Sequence, residues 1–180
     1  LLDAPDLAVR MAGALSAEVF SPLLFAVLYR PSLRVGVDRL TRYKRLVAPM
    51  RLDIDDHDGL AVTFRWLGVA YLPPPSLAAF ELALLVRMAR LGTRAPVRPV
   101  RVALPDPTDP SGHLAAFFGE SPVRGPHPSV RFAARDADRR FLTSNDAIWM
   151  AFEPELRRRL SDLTRDATTA ERVRAVLLEG

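Results

Sequence analysis

The spacing of apolar positions changes along the chain, and each change marks an element. Asp6 to Leu15 is a short apolar segment that reads as helix. Ser21 before Pro22 has the form of an N-cap with proline at the first helical position. Leu23 to Leu28 is apolar on every side, so this second helix is expected to be buried, and Arg30-Pro31 ends it. Ser32 caps a third helix, whose stripe is Leu33, Val37, Leu40 and Val47 and which Pro49 closes. The period then drops to two. Met50, Leu52 and Ile54 face one way, Arg51 and Asp53 the other, and after Asp58-Gly59 the alternation resumes from Leu60 to Leu67. Two alternating runs joined by Asp-Gly predict an antiparallel hairpin.

Pro73-Pro74-Pro75 forms a rigid connector. Ser76 is expected to cap a long helix with Leu77, Phe80, Leu84, Met88 and Leu91 as its apolar stripe and Gly92 as its stop. Pro99 to Leu104 predicts a third strand with Val100, Val102 and Leu104 on one face. A loop over Asp106 to Pro110 leads to a short helix from His113 to Gly119. Val123-Arg124 predicts a brief strand and Val130 to Ala134 a better one. The tail is helical. Ser144 or Asn145 caps a helix through Ile148 and Trp149, Pro154 interrupts it, and Leu156, Leu160 and Leu163 form the next stripe. Thr168 with Glu171 makes a capping box for a last helix over Ala170 to Glu179. The layout predicts one α+β domain over residues 1–180. It is a small, largely antiparallel β-sheet with helices packed on it and helical N- and C-terminal segments.

Composition narrows the function classes. The chain has 180 residues, 49% hydrophobic and 26% charged, which suits a packed domain and not a disordered segment. Zero cysteines remove disulfides, thiol nucleophiles and thiolate metal sites. Every apolar run is broken by Arg or Pro well short of about 18 residues, so no membrane span is expected. The net charge is +4, from 25 basic and 21 acidic residues. The arginines are scattered, whereas a nucleic-acid binder concentrates them on one face. The densest run, Arg157-Arg158-Arg159, sits between Glu155 and Asp162 and reads as a solvated helix face. The chain starts at Leu1 without a methionine or a secretory signal pattern, so it is expected to be a piece of a cytoplasmic protein.

Candidate chemistry is sparse. His57, His113 and His127 include no i, i+4 pair of the zinc type. Asp53, Asp55, Asp56 and Asp58 around His57 lack the spacing of a calcium loop and read as a solvated hairpin turn. No metal and no cofactor is expected. No G-x-S-x-G elbow and no glycine-rich phosphate loop occurs, and Glu153 and Glu155 near a helix start are dipole complements. The expectation is therefore that the chain is not an enzyme. Lys44, on the stripe of Leu33, Val37 and Leu40, is a lysine snorkelling at the core edge or a cation at a pocket mouth. Trp66 and Tyr71 bracket the end of the hairpin as core anchors or as pocket lining, and Trp149 reads as packing.

The order of these segments carries a resemblance. Pro31-Ser32-Leu33, then Arg42-Tyr43-Lys44-Arg45-Leu46, then Leu60-Ala61-Val62 come first. Glu81-Leu82-Ala83 on the long helix and Arg101-Val102-Ala103-Leu104-Pro105 follow. Phe118-Gly119-Glu120-Ser121-Pro122-Val123-Arg124 and Phe141-Leu142-Thr143-Ser144-Asn145 come next. A Glu-Pro-Glu-Leu segment and a helix containing Glu171-Arg172-Val173-Arg174-Ala175 complete the set. Taken together, the set resembles the N-terminal regulatory domain of one branch of AraC-type transcription regulators, from about Asp3 onward. Gly125-Pro126-His127-Pro128 is more proline-rich than the family's turn at this point.

The resemblance implies a sensor and dimerisation module: a small-molecule effector of unknown identity, a homodimer, and DNA contacted only through a C-terminal helix-turn-helix domain absent from this chain. The alternative is a stand-alone small-molecule- or partner-binding module of the same fold. From residue chemistry, Tyr43, Arg65, Trp66 and Tyr71 are the candidate effector residues, in a pocket near the hairpin and the long helix. Trp149, Leu156, Leu160 and Leu163 on the helical tail are the candidates for dimerisation.

Overall fold

The computed structural model describes residues 6–14, 22–67 and 74–178. In chain order the elements are α1 (Leu7–Ala14), α2 (Pro22–Leu28), α3 (Leu33–Tyr43) and a 3-10 turn (Lys44–Leu46). The hairpin β1 (Met50–Asp55) and β2 (Leu60–Trp66) follows, then α4 (Pro75–Thr93) and β3 (Arg101–Leu104). The chain continues with α5 (His113–Phe118), β4 (Val123–Arg124), β5 (Ser129–Phe132), α6 (Ala134–Ala137) and α7 (Asp146–Leu178). The fold is α+β, as the sequence predicts.

One sheet has the order β1-β2-β5-β3-β4, with every neighbouring pair antiparallel except β3 and β4. The register aligns Leu52 with Phe64, Val62 with Val130, and Val102 with Val130, so one face is apolar across four strands. Those side chains are buried, with Met50, Leu60, Leu104 and Phe132. The opposite face is ionic: Asp53 binds Arg65 and lies 3.3 Å from Arg51, and Arg131 lies 3.1 Å from Asp55. The Asp58-Gly59 turn is where glycine is required. Gly59 has φ +88°, and a Cβ there would meet the Phe132 carbonyl oxygen at 2.1 Å.

α4 runs through the middle, packed against α1, α2, α3, α5 and β3. The expected stripe does not describe its buried side. Met88 is buried, Phe80, Leu84 and Leu91 are half-buried, and Leu77 is exposed. Ala78, Ala79, Leu82, Ala83, Leu85, Val86 and Ala89 carry the burial instead. A helix touched from several sides has no single apolar face, and alanine allows its neighbours to approach closely. Nor does Gly92 stop the helix, which runs to Thr93 and closes at Arg94 in the left-handed region. Gly92 makes room instead: a Cβ there would lie 2.6 Å from the Phe141 ring. Pro74, not Ser76, occupies the N-cap position, and Pro75 opens the first turn without an N–H needing a partner.

Other boundaries also shift. The 3-10 turn after α3 breaks the helical phase, leaving Val47 57% exposed. Ser32 sits at the N-cap of α3 without a side-chain cap bond, and Ser21 lies outside the described residues. β3 begins at Arg101, leaving Val100 exposed, and Ala134 opens α6, which the sequence reading did not contain. Asn145 Oδ1 accepts from the Ile148 N–H at 3.1 Å, so Asn145 is the cap of α7. α7 continues as one helix through Pro154 and Thr168, where two interruptions were expected. Proline removes the N–H that would bond the carbonyl of Met150, a residue that is 69% exposed. Phe141 to Asn145 fastens α7 to the end of α2. Phe141 N–H donates to the Pro31 carbonyl at 2.8 Å, Thr143 Oγ1 to that of Leu28, and Asn145 N–H to that of Tyr29 at 3.1 Å.

Candidate functional site

A cavity of about 600 Å³ opens at one end of the sheet. Four chain segments meet there: Trp66 at the end of β2, Pro74, Pro75 and Ala78 at the start of α4, Leu104 to Asp106 leaving β3, and Pro126 to Pro128 entering β5. Topology brings them together. β5 runs antiparallel to both β2 and β3, so its first residues lie beside the last residues of each. Phe64 N–H donates to the Pro128 carbonyl at 2.9 Å, and Gly125 N–H to the Leu104 carbonyl at 3.0 Å. The loop lies close to β3: a Cβ on Gly125 would stand 2.9 Å from the Ala103 Cβ.

Two ionisable side chains line this space, Asp106 and His127. Asp106 accepts from Thr108 N–H at 3.2 Å and Thr108 Oγ1–H at 2.6 Å. Those bonds hold its carboxyl below the usual carboxylate range, so it is ionised at neutral pH. His127 Nε2 lies 2.7 Å from Arg65 Nη1. A guanidinium can only donate, so Nε2 accepts and the ring proton sits on Nδ1. The Trp66 indole is half-buried, and its Nε1 is enclosed with no hydrogen-bond partner among the described residues.

Of the four candidate effector residues, Trp66 lines the cavity. Arg65 precedes it on the strand and reaches the cavity only through His127, its Nε being bound to Asp53. Tyr43 is placed elsewhere, fully buried with its ring 6.2 Å from that of Trp149. Tyr71 lies outside the described residues. Sequence reasoning did not single out Asp106 or the lining prolines. The available signal was the clustering of proline at both Pro73-Pro74-Pro75 and Pro126-His127-Pro128, which bracket strand ends.

Lys44 corrects both earlier readings. It neither snorkels nor stands at a pocket mouth: it is 2% exposed, its Nζ lies 2.6 Å from Glu81 of α4, and the Phe64 ring centroid is 6.0 Å away. Ala78, in the cavity wall, lies one helical turn before Glu81.

The four dimerisation candidates divide. Trp149 and Leu156 are each 3% exposed and belong to the domain's own core. Arg30 and Arg39 lie 5.6 and 5.7 Å from the Trp149 ring centroid. Leu160 packs partly against the core, and Leu163 is 42% exposed. Three of the four hairpin aspartates are engaged by arginines: Asp53 by Arg65, Asp55 by Arg131, and Asp56 by Arg34. Among the described residues no three His, Asp or Glu side chains converge as a metal site. No helix in the described residues is long and apolar enough to cross a membrane.

Residues 1–141 match the family described as the arabinose-binding domain of AraC transcription regulator, N-terminal. Among solved structures, the chain is similar to the transcriptional regulator CdpR from Pseudomonas aeruginosa, with a TM-score of 0.67 at 10% identity. That likeness covers 88% of this chain and 54% of the other, so the chain spans about half the length of that regulator. At this identity it establishes a shared fold. No curated protein sequence matches the chain.

Proposed function

The chain belongs to the AraC transcription regulators, through their N-terminal arabinose-binding domain, and on that premise we propose that it is a sensor domain that binds a small-molecule effector in the cavity beside Trp66. The observation that carries this reading is the cavity itself. Its volume of about 600 Å³ suits a small ligand, and its walls come from four separate segments. A ligand seated there touches β2, α4, β3 and the β4–β5 turn together, so its binding energy depends on how those elements sit. It shifts a conformational equilibrium by its differential affinity for the two arrangements, and by no more than that.

In this reading the domain acts by binding, without turnover, and reaches DNA only through an attached helix-turn-helix domain in the cytoplasm. Two copies pair through α7. Since Trp149 and Leu156 are committed to the core, the pairing face uses Leu163 and the 69% exposed Met150. In a reporter assay of the full-length regulator, Trp66→Ala should abolish the response to the inducing compound while gel filtration shows an unchanged dimer. A full response in that variant would remove the cavity from the mechanism.

A further inference from the structure

We propose that the cavity takes a flat, largely apolar ring compound carrying one hydrogen-bond donor, and takes neither a sugar nor a carboxylate. This deepens the sensor reading and rests on it. The described walls leave few hydrogen-bonding side-chain groups for a ligand.

Five of the ten lining residues are prolines, which have ring surfaces and no N–H. Three of their carbonyls are already engaged. That of Pro74 accepts from Leu77 and Ala78, that of Pro128 from Phe64, and that of Pro105 from Arg124 Nη1 at 2.7 Å. Ala78 and Leu104 add apolar side chains. The Trp66 Nε1 is enclosed by protein, so a ligand meets the carbon surface of the indole. His127 has its Nε2 occupied by Arg65. Among the described lining residues, the side-chain groups left for a ligand are the Asp106 carboxylate at the rim and the Nδ1–H of His127.

A sugar brings a hydroxyl on nearly every carbon, and hydroxyls removed from water against proline rings would lose their partners. A flat ring loses nothing there, because its faces stack on the proline and indole surfaces. A ligand hydroxyl or amine satisfies Asp106, which is exposed and ionised. A ligand carboxylate meets that anion directly. Arg124, whose charge acts on Asp106, is held on the Pro105 carbonyl, and Arg65 is held by Asp53 and His127.

The test is isothermal titration calorimetry of the chain with 2-naphthol, 2-naphthoate and L-arabinose, repeated on Ala78→Phe and Asp106→Asn. The proposal expects 2-naphthol to bind at least about tenfold more tightly than 2-naphthoate, and L-arabinose to give no binding up to about 10 mM. Asp106→Asn should narrow the naphthol-to-naphthoate ratio to under about threefold, since it removes the charge and keeps the fold at an exposed site. Ala78→Phe fills the cavity and should abolish naphthol binding. Tighter binding of arabinose or naphthoate, or no binding of naphthol, overturns the ligand class. If the compound that does bind is lost in Ala78→Phe, the cavity still stands as the sensor site. Naphthol binding undiminished in a folded Ala78→Phe variant takes the site out of the cavity, and both readings fall.

Discussion

Two parts of this molecule pair opposite charges in opposite surroundings. Lys44 and Glu81 meet at 2.6 Å with side chains 3% and 8% exposed. On α7, Arg158 meets Glu155 and Asp162, and Arg159 meets Glu155, with the arginines 57–65% and the carboxylates 42–44% exposed. The first pair has given up its water, so its geometry must be kept. The second set keeps most of its water, so each pair is nearly dispensable. The buried pair therefore fixes how α4 sits against the turn after α3. The arginine ladder keeps a long helix soluble.

The sharpest way to break this comparison is Glu81→Leu. It strands a buried ammonium and should lower the unfolding free energy by about 3–5 kcal/mol, read from urea denaturation. Lys44→Met with Glu81→Leu should recover most of that loss, because two apolar groups of similar volume need no partner. A single variant costing less than about 1 kcal/mol would place the pair with the surface set. Next in size is Asn145→Ala, which removes the cap of α7 and should cost about 1 kcal/mol. Thermal denaturation followed by circular dichroism checks it.

The smallest effect is expected at Glu155. Hydrogen bonds from Arg158 and Arg159 lower its carboxyl from 4.5 to about 2. A depressed pKa stabilises the fold above the unfolded value and loses that contribution as pH falls, here between 4.5 and about 2. An NMR titration should find the Glu155 midpoint near the low end of that window. Glu155→Gln should lower the neutral-pH Tm by less than Asn145→Ala does, because solvent screens the ladder.

The hairpin was legible because two local signals agree: strict alternation, and an Asp-Gly turn whose glycine cannot carry a side chain. The cap of α7 was legible to within one residue, Ser144 or Asn145, and Asn145 makes the bond. The buried side of α4 was not legible, since it depends on which neighbours arrive from elsewhere in the chain. Gly92 and Pro154 carry meanings that composition reverses. One is a packing notch and not a stop, and the other sits inside a continuous helix, four residues after the exposed Met150. Lys44 read as a marginal cation only because its partner is 37 residues away. At the cavity, Trp66 was nameable as an aromatic at a strand end. The rest of the wall comes from prolines that a sequence reading spends on breaking helices and strands.

The uninterrupted α7 has a mechanical consequence. Its 33 residues make a rod roughly 50 Å long, anchored at one end by Asn145, Trp149 and Leu156. A rod clamped at its base is a lever. A tilt of about 5° there carries the far tip through about 4 Å, by the length the helical rise sets. A displacement at the base too slight to disturb close packing is thereby multiplied at the tip.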